Sequence, residues 1–270
     1  MALAGRLAII AGGFGGLGSA TGKLLQSQGA KLALLYAPFE SSRKSSIIKE
    51  SYDHADIQNI TTYECDITSH DAVSTTFSTI AEDLATSRTA KNTNPFPSIL
   101  VNAAGYVSTA PLVDTTSTDA LANLHSNLLG PLFVSQAFAR LYRQRSHTHK
   151  SPPPGRIVSI SSQAAHVALP DHGAYCASKA GLLGLTRCMA SEWGPWGITA
   201  NTVSPTVAMT VLGKKAWADE ERRRKHLSEI PTGRFAQPQE IAEAIAFLCQ
   251  DGNGMINGAD LRVDGGFTIR

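Results

Sequence analysis

Short aliphatic runs recur along the chain, separated by longer segments whose apolar residues follow helical spacing. The runs are Leu7–Ile10, Lys31–Leu35, Ile99–Val101, Arg156–Ile160 and Ile198–Val203. Their β-branched content suits strands, and their lack of polar alternation suits strands buried on both faces. The intervening spacing predicts helices over Leu17–Gln28, Asp71–Leu84, Leu121–Tyr142, Ala174–Glu192 and Gln239–Gln250. Strands separated by helices imply right-handed crossovers, so the expected fold is α/β: a doubly wound parallel sheet covered on both faces. Two stretches break the rhythm. Thr86–Pro97 is polar and ends near two prolines, and Arg143–Gly155 is basic with three consecutive prolines. Both read as surface loops preceding a strand.

Composition narrows the class. A chain of 270 residues fits one or two domains, and no repeat or composition break marks a second, so residues 1–270 read as a single domain. Hydrophobic residues at 43% and charged residues at 17% allow a full core. The charge balance, 24 − 22 = +2, gives no reason to expect a nucleic-acid or membrane-surface partner. No apolar run approaches the ~20 residues of a membrane span, and the N-terminal residues lack a secretory pattern. Cys65, Cys176, Cys188 and Cys249 form no Cys-x-x-Cys pair and read as buried free thiols of a cytoplasmic protein. His147 and His149 read as residues of a solvated loop, so no metal site is expected. The Glu221–Lys225 run reads as a solvated helix face.

A glycine-rich turn follows the first strand and opens the first helix: Ala11-Gly12-Gly13-Phe14-Gly15-Gly16-Leu17-Gly18. Glycines let the backbone approach a ligand, and a helix N-terminus presents unpaired N–H groups to a phosphate. The position suits a dinucleotide. An acid at the tip of the second strand would bind the free ribose hydroxyls of NAD. Here the strand ends Tyr36-Ala37-Pro38, and Ser41, Ser42, Arg43 and Lys44 follow Glu40. Hydroxyls and cations favour a 2′-phosphate, so the expected cofactor is NADP(H). Read alone, Arg43 and Lys44 also fit a solvated helix start.

Tyr175 and Lys179 stand at i and i+4, on one helical face about 6 Å apart along the axis. A nearby ammonium favours tyrosinate, so Tyr175 can exchange a proton with a carbonyl or alcohol oxygen. Ser162 lies just past the strand Arg156–Ile160, at the carboxyl end where ligands of parallel sheets bind. Its hydroxyl can hydrogen-bond the same oxygen.

These residues, taken with Asp66, the Asn102-Ala103-Ala104-Gly105 segment, Asn127 and Pro205 to Thr210, resemble the short-chain dehydrogenase/reductase family in order and across nearly the whole chain. The resemblance implies a Rossmann-like, seven-stranded domain and hydride-transfer chemistry. It implies Tyr175 as general acid/base, Lys179 as the residue that tunes Tyr175 and holds the nicotinamide ribose, and Ser162 as the residue that orients the carbonyl. Asn127 would support a proton-relaying water. Gly12, Phe14, Gly16, Leu17, Gly18, Tyr36, Ser41, Ser42, Arg43, Asp66, Ile67, Asn102, Ala103, Gly105, Pro205, Ala208 and Thr210 would line the cofactor. Three positions depart from the pattern: Ala11 for Thr, Ala103 for a second Asn, and Thr206 for Gly. The Ala11 departure leaves one stabilising hydrogen bond near the turn in question. The resemblance also implies a homotetramer paired through the Leu121–Tyr142 and Ala174–Glu192 helices.

The Ser161-Ser162-Gln163 run, His172-x-x-Tyr175-Cys176, and the chain from Asn201 to Phe267 look like the dicarbonyl/L-xylulose reductase and polyol dehydrogenase branch. By that likeness Gln163, His172 and Trp217 would line the pocket of a small hydroxylated ketone, with Lys214–Ser228 as a mobile lid. His166 lies near the same mouth and receives no role, and Cys176 reads as packing. The likeness weakens before residue 98. A carbonyl reductase of secondary metabolism, acting on a larger aromatic or polyketide-like ketone, therefore stays open. So does a non-catalytic dinucleotide-binding sensor.

Overall fold

The computed structural model describes residues 2–52, 56–86 and 94–269. In chain order these form β1 (Arg6–Ala11), α1 (Gly16–Ser27), β2 (Lys31–Tyr36), α2 (Lys44–Ser51), β3 (Ile60–Glu64), α3 (His70–Thr86), β4 (Phe96–Asn102), α4 (Ser117–Leu124), α5 (Gly130–Thr148), β5 (Gly155–Ile160), α6 (Gly173–Trp193), β6 (Ile198–Pro205), α7 (Val211–Ala216), α8 (Glu220–Ser228), α9 (Pro238–Cys249) and β7 (Asp260–Val263). The strands build one seven-stranded parallel sheet in the order β3-β2-β1-β4-β5-β6-β7.

Period-two geometry sends alternate apolar residues of each strand to opposite faces. Leu7, Ile9 and Ala11 pack with Phe77 and Ile80 of α3, Phe138 of α5 and Trp193 of α6. Ala8 and Ile10 pack on the other face with Leu25 of α1 and Ile241 and Ile245 of α9. Both faces are therefore buried, as the non-alternating runs predict. The chain order reverses between β1 and β4, whose register sets Ala11 beside Asn102. That reversal opens a crevice at the carboxyl ends of the two strands.

Three expectations change. The first six residues of the Arg143–Gly155 stretch are helical, since α5 continues to Thr148, and its last residue, Gly155, begins β5. His147 is thus a helix residue, and His149 sets its ring edge-on to Phe96 at 5.0 Å. Of the Thr86–Pro97 stretch, residues 87–93 lie outside the described residues, while Phe96 and Pro97 belong to β4. The single helix expected over Leu121–Tyr142 is α4 and α5 joined by a π-helical turn, His125–Leu129. Pro131 explains the break. It has no N–H to give the Asn127 carbonyl, and the Gly130 N–H turns to His125 instead. β3 and β7 were hidden from pattern reading because β3 is half-polar (ITTYE) and β7 has four residues.

Candidate active site

β1 and β2 place the glycine-rich turn. The N–H groups of Gly12 and Gly13 both donate to the Leu35 carbonyl, at 3.0 and 3.1 Å. Gly12 has φ +77°, and a Cβ there would lie 2.6 Å from the Ala104 backbone nitrogen. A Cβ on Gly18 would run into the Gly12 carbonyl. Only glycine lets the turn, the first helix and the segment after β4 come this close. The Ala11 carbonyl accepts the Ala103 N–H at 2.9 Å, which ties the turn to that segment. Tyr52, at the end of α2, donates its hydroxyl to the Gly13 carbonyl at 2.7 Å from a fully buried position. Burial pushes its phenol far above the ordinary range. Sequence reading missed Tyr52. It supplies a hydrogen bond to the turn, where the Ala11 departure left one in question.

The other cofactor candidates are distributed around this turn. Phe14 and Tyr36 stack with centroids 4.8 Å apart. Thr210 caps α7, accepting the Gly213 N–H at 3.0 Å. A Cβ on Gly16 would come within 2.6 Å of the Thr210 methyl, so the chain after β6 lies against the turn. Asp66 turns its carboxylate onto Thr68, and Ile67 packs on Gly130. Asn102 does not face the crevice with its amide nitrogen. That group donates to Ser135 at 3.1 Å and Ser159 at 3.0 Å, bolting β4 to α5 and β5.

The tip of β2 carries both signs of charge. Ser42 and Arg43 are exposed, and the Lys44 ammonium lies 5.6 Å over the Tyr36 ring. Ser41 donates its hydroxyl to Glu64 at the end of β3, and Glu40 accepts the Ala37 N–H at 2.9 Å. Neither carboxylate was singled out from the sequence, because Glu64 is 23 residues from Ser41 and meets it only through β2–β3 pairing.

The catalytic candidates converge at the carboxyl ends of β4 and β5. The buried Lys179 donates to the Ile160 carbonyl at 2.8 Å and lies 5.7 Å from the Tyr175 ring centre. Burial lowers its ammonium to about 8. The Tyr175 phenol lies close enough to the Ser162 hydroxyl for the two to interact. Burial is the stronger influence on its phenol and raises it, while the Ser162 contact lowers it. The protein alone thus holds Tyr175 protonated, ready to donate to a carbonyl oxygen. This differs from the expectation that Lys179 depresses it, because burial of the phenol itself outweighs the influences that lower it.

Asn127 completes the group from the π-helical turn. Its side chain accepts the Tyr106 N–H at 2.9 Å and donates to the Tyr106 carbonyl at 2.8 Å and Ser178 at 3.0 Å. A Cβ on Gly105 would sit 3.3 Å from Asn127 Oδ1 and 3.7 Å from Lys179 Nζ. Asn127, Gly105 and Lys179 are therefore immediate neighbours.

Among the pocket candidates, His172 sets its ring edge-on to Tyr175 at 6.2 Å. Gln163 is buried and meets His226 of α8 at 3.4 Å, and the Trp217 ring lies tilted against that histidine at 4.6 Å. The region expected as a lid is thus α7 and α8, joined to the site through His226. Four of the five residues of the Glu221–Lys225 run are exposed, as expected of a solvated helix face; Arg223 is half-buried, and His226 and Leu227 beyond the run turn inward.

The site suits a polar ligand that bears phosphates. Asn102 Oδ1, Gln163 Oε1 and Thr206 Oγ1 are buried without a hydrogen-bond partner, and each stands at or just past the carboxyl end of β4, β5 or β6. The glycine cradle and the start of α1 provide the close backbone approach that a dinucleotide needs. A pH prediction follows from the lysine. The Lys179 charge is present below about pH 8 and is lost above it. Carbonyl reduction, measured as kcat/KM from about pH 6 to 10, is expected to be flat and then to fall about tenfold per pH unit beyond the break. A profile flat through pH 10 would remove Lys179 from proton delivery.

Comparison with known proteins agrees with this geometry. A family profile described as enoyl-(acyl carrier protein) reductase matches residues 12–268. The D-threitol dehydrogenase of Mycolicibacterium smegmatis is 36% identical over 99% of this chain and 95% of its own length. The L-xylulose reductase of Mesocricetus auratus is 33% identical over 100% of this chain and 99% of its own. A solved short-chain dehydrogenase/reductase from Serratia marcescens superposes with a TM-score of 0.83 at 27% identity, covering 99% of this chain and 100% of that one.

Proposed function

Because the chain belongs to the short-chain dehydrogenase/reductase family, we propose that it reduces the carbonyl of a small hydroxylated ketone or dicarbonyl, reversibly with the polyol. The observation that carries the reading is the convergence of Ser162, Tyr175 and Lys179, with the Lys179 ammonium buried beside the Tyr175 ring. Ser162 orients the carbonyl oxygen by hydrogen bonding. Tyr175 gives its phenolic proton to that oxygen as negative charge develops there. Lys179 then stabilises the tyrosinate and, with Asn127 behind it, returns a proton. A nicotinamide dinucleotide, when bound, supplies the hydride. Gln163, His172 and Trp217 shape the pocket, and the similarity to threitol and xylulose enzymes supports a four- or five-carbon substrate.

For the cofactor, the reading is NADP(H), with Arg43, Lys44, Ser41 and Ser42 at the 2′-phosphate. The Ser41–Glu64 hydrogen bond favours a second reading, NAD, because a carboxylate there repels a phosphate. Initial rates with NADPH and NADH against L-xylulose, diacetyl and a bulky aromatic ketone test both choices. Fast turnover of the small substrates with NADPH is expected. Activity confined to the bulky ketone would overturn the sugar reading, and a preference for NADH would overturn the phosphate site. Glu64→Gln is expected to raise the NADPH-to-NADH ratio of kcat/KM by about tenfold, as removal of a nearby like charge requires. An unchanged ratio would show that Glu64 does not face the cofactor.

A further inference from the structure

The carbonyl oxygen of Gln163 is a buried acceptor without a donor. Leaving such a group unpaired is costly, so its geometry needs a cause and a use. Gln163 is only 4% exposed and directly follows Ser162, just past the carboxyl end of β5, the side of the sheet on which the catalytic reading sets the reacting carbonyl. The amide nitrogen of Gln163 faces Nε2 of His226 at 3.4 Å.

His226 is held in a defined orientation. Its ring packs on Trp217 at 4.6 Å and Phe267 at 4.8 Å, with Phe235 at 5.9 Å. Its Nδ1 lies 3.7 Å from the Glu229 carboxylate. That carboxylate favours the hydrogen on Nδ1, which leaves Nε2 as an acceptor. An acceptor at Nε2 draws the Gln163 N–H toward α8 and turns the Gln163 oxygen the other way. Burial and Arg222 oppose protonation of His226, and Glu229 favours it; burial outweighs the rest, so the ring stays neutral.

We propose that His226 is a positioning residue for substrate specificity: it fixes the Gln163 amide so that its carbonyl oxygen accepts a hydroxyl on the carbon next to the reacting carbonyl. The proposal rests on the small-hydroxyketone reading and deepens it, since it names the substrate group that is read. A substrate with that hydroxyl fills the empty acceptor, while a dicarbonyl such as diacetyl has no hydrogen to offer it.

The test compares L-erythrulose with diacetyl in the wild type, His226→Phe and His226→Gln. Phe keeps the ring packing and removes the acceptor, and Gln keeps an acceptor. In His226→Phe, kcat/KM is expected to fall about tenfold or more for L-erythrulose, mainly through KM, and to stay within about threefold for diacetyl. His226→Gln is expected to restore much of the erythrulose preference. Threitol binding, followed by isothermal titration calorimetry, is expected to weaken in parallel in His226→Phe. Equal losses on both substrates would mark His226 as merely structural and overturn the proposal, as would no loss on either. A wild type with no turnover of L-erythrulose would instead overturn the small-hydroxyketone reading, and the proposal with it.

Discussion

Replacing Tyr175 by Phe lowers kcat for carbonyl reduction by about a thousandfold and leaves cofactor affinity within about twofold. The magnitude follows from the usual worth of a positioned general acid. The selectivity follows from the fold, because the phenol lies near Ser162 at the end of β5, while Gly12, Gly16 and Gly18, the proposed dinucleotide turn, stand beyond β4 at the end of β1. Phe fills the same space, so the buried site should neither collapse nor gain an orphaned group. The measurement is steady-state rate and cofactor titration by nicotinamide absorbance and fluorescence. A dinucleotide sensor would bind cofactor equally well in both forms and show no rate to lose. Retained turnover in Tyr175→Phe would mean that another group delivers the proton.

Gly12→Ala is expected to cost about 2–5 kcal/mol of stability. Two effects add: left-handed backbone strain of about 1–2 kcal/mol, and overpacking of about 1–3 kcal/mol where the new methyl would lie 2.6 Å from Ala104 N. At about 2–4 °C per kcal/mol for a chain of this class, Tm should fall by roughly 10 °C. Gly5 is the control. It also has φ +77° but no atom within 4 Å of a built Cβ, so Gly5→Ala carries the strain alone. Calorimetry of the two variants separates the contributions, and equal shifts would show that close approach to Ala104 costs nothing. Cofactor affinity should drop at least tenfold in Gly12→Ala only, because Ala103 and Ala104 must retreat from the crevice.

The parts of this protein legible in its sequence are those fixed by local rules. The apolar strands announce themselves through composition, and Gly12 to Gly18 through the backbone freedom that their crowded turn needs. Tyr175 and Lys179 are joined by helical spacing alone. What sequence reading missed depends on pairing across the sheet or on single atoms. Glu64 reaches Ser41 only because β3 lies beside β2. Tyr52 reaches the glycine turn across 39 residues of chain. His226 belongs to a charged helix that is exposed along most of its length, so nothing in the ERRRK run before it signals that the next ring is turned inward. The break between α4 and α5 was written in Pro131, but its effect is to deprive the Asn127 carbonyl of a donor, which apolar periodicity does not register.

The most direct test of the account follows the transferred hydrogen. Wild-type protein is incubated with a four- or five-carbon hydroxyketone and with NADPH or NADH deuterated at both C4 positions, and the alcohol is analysed by mass spectrometry and NMR. The account predicts one deuterium on the new carbinol carbon, a solvent-derived hydrogen on its oxygen, and almost no product from Tyr175→Phe. Cofactor oxidation without a deuterated alcohol, or deuterated product formed equally well by Tyr175→Phe, would contradict it.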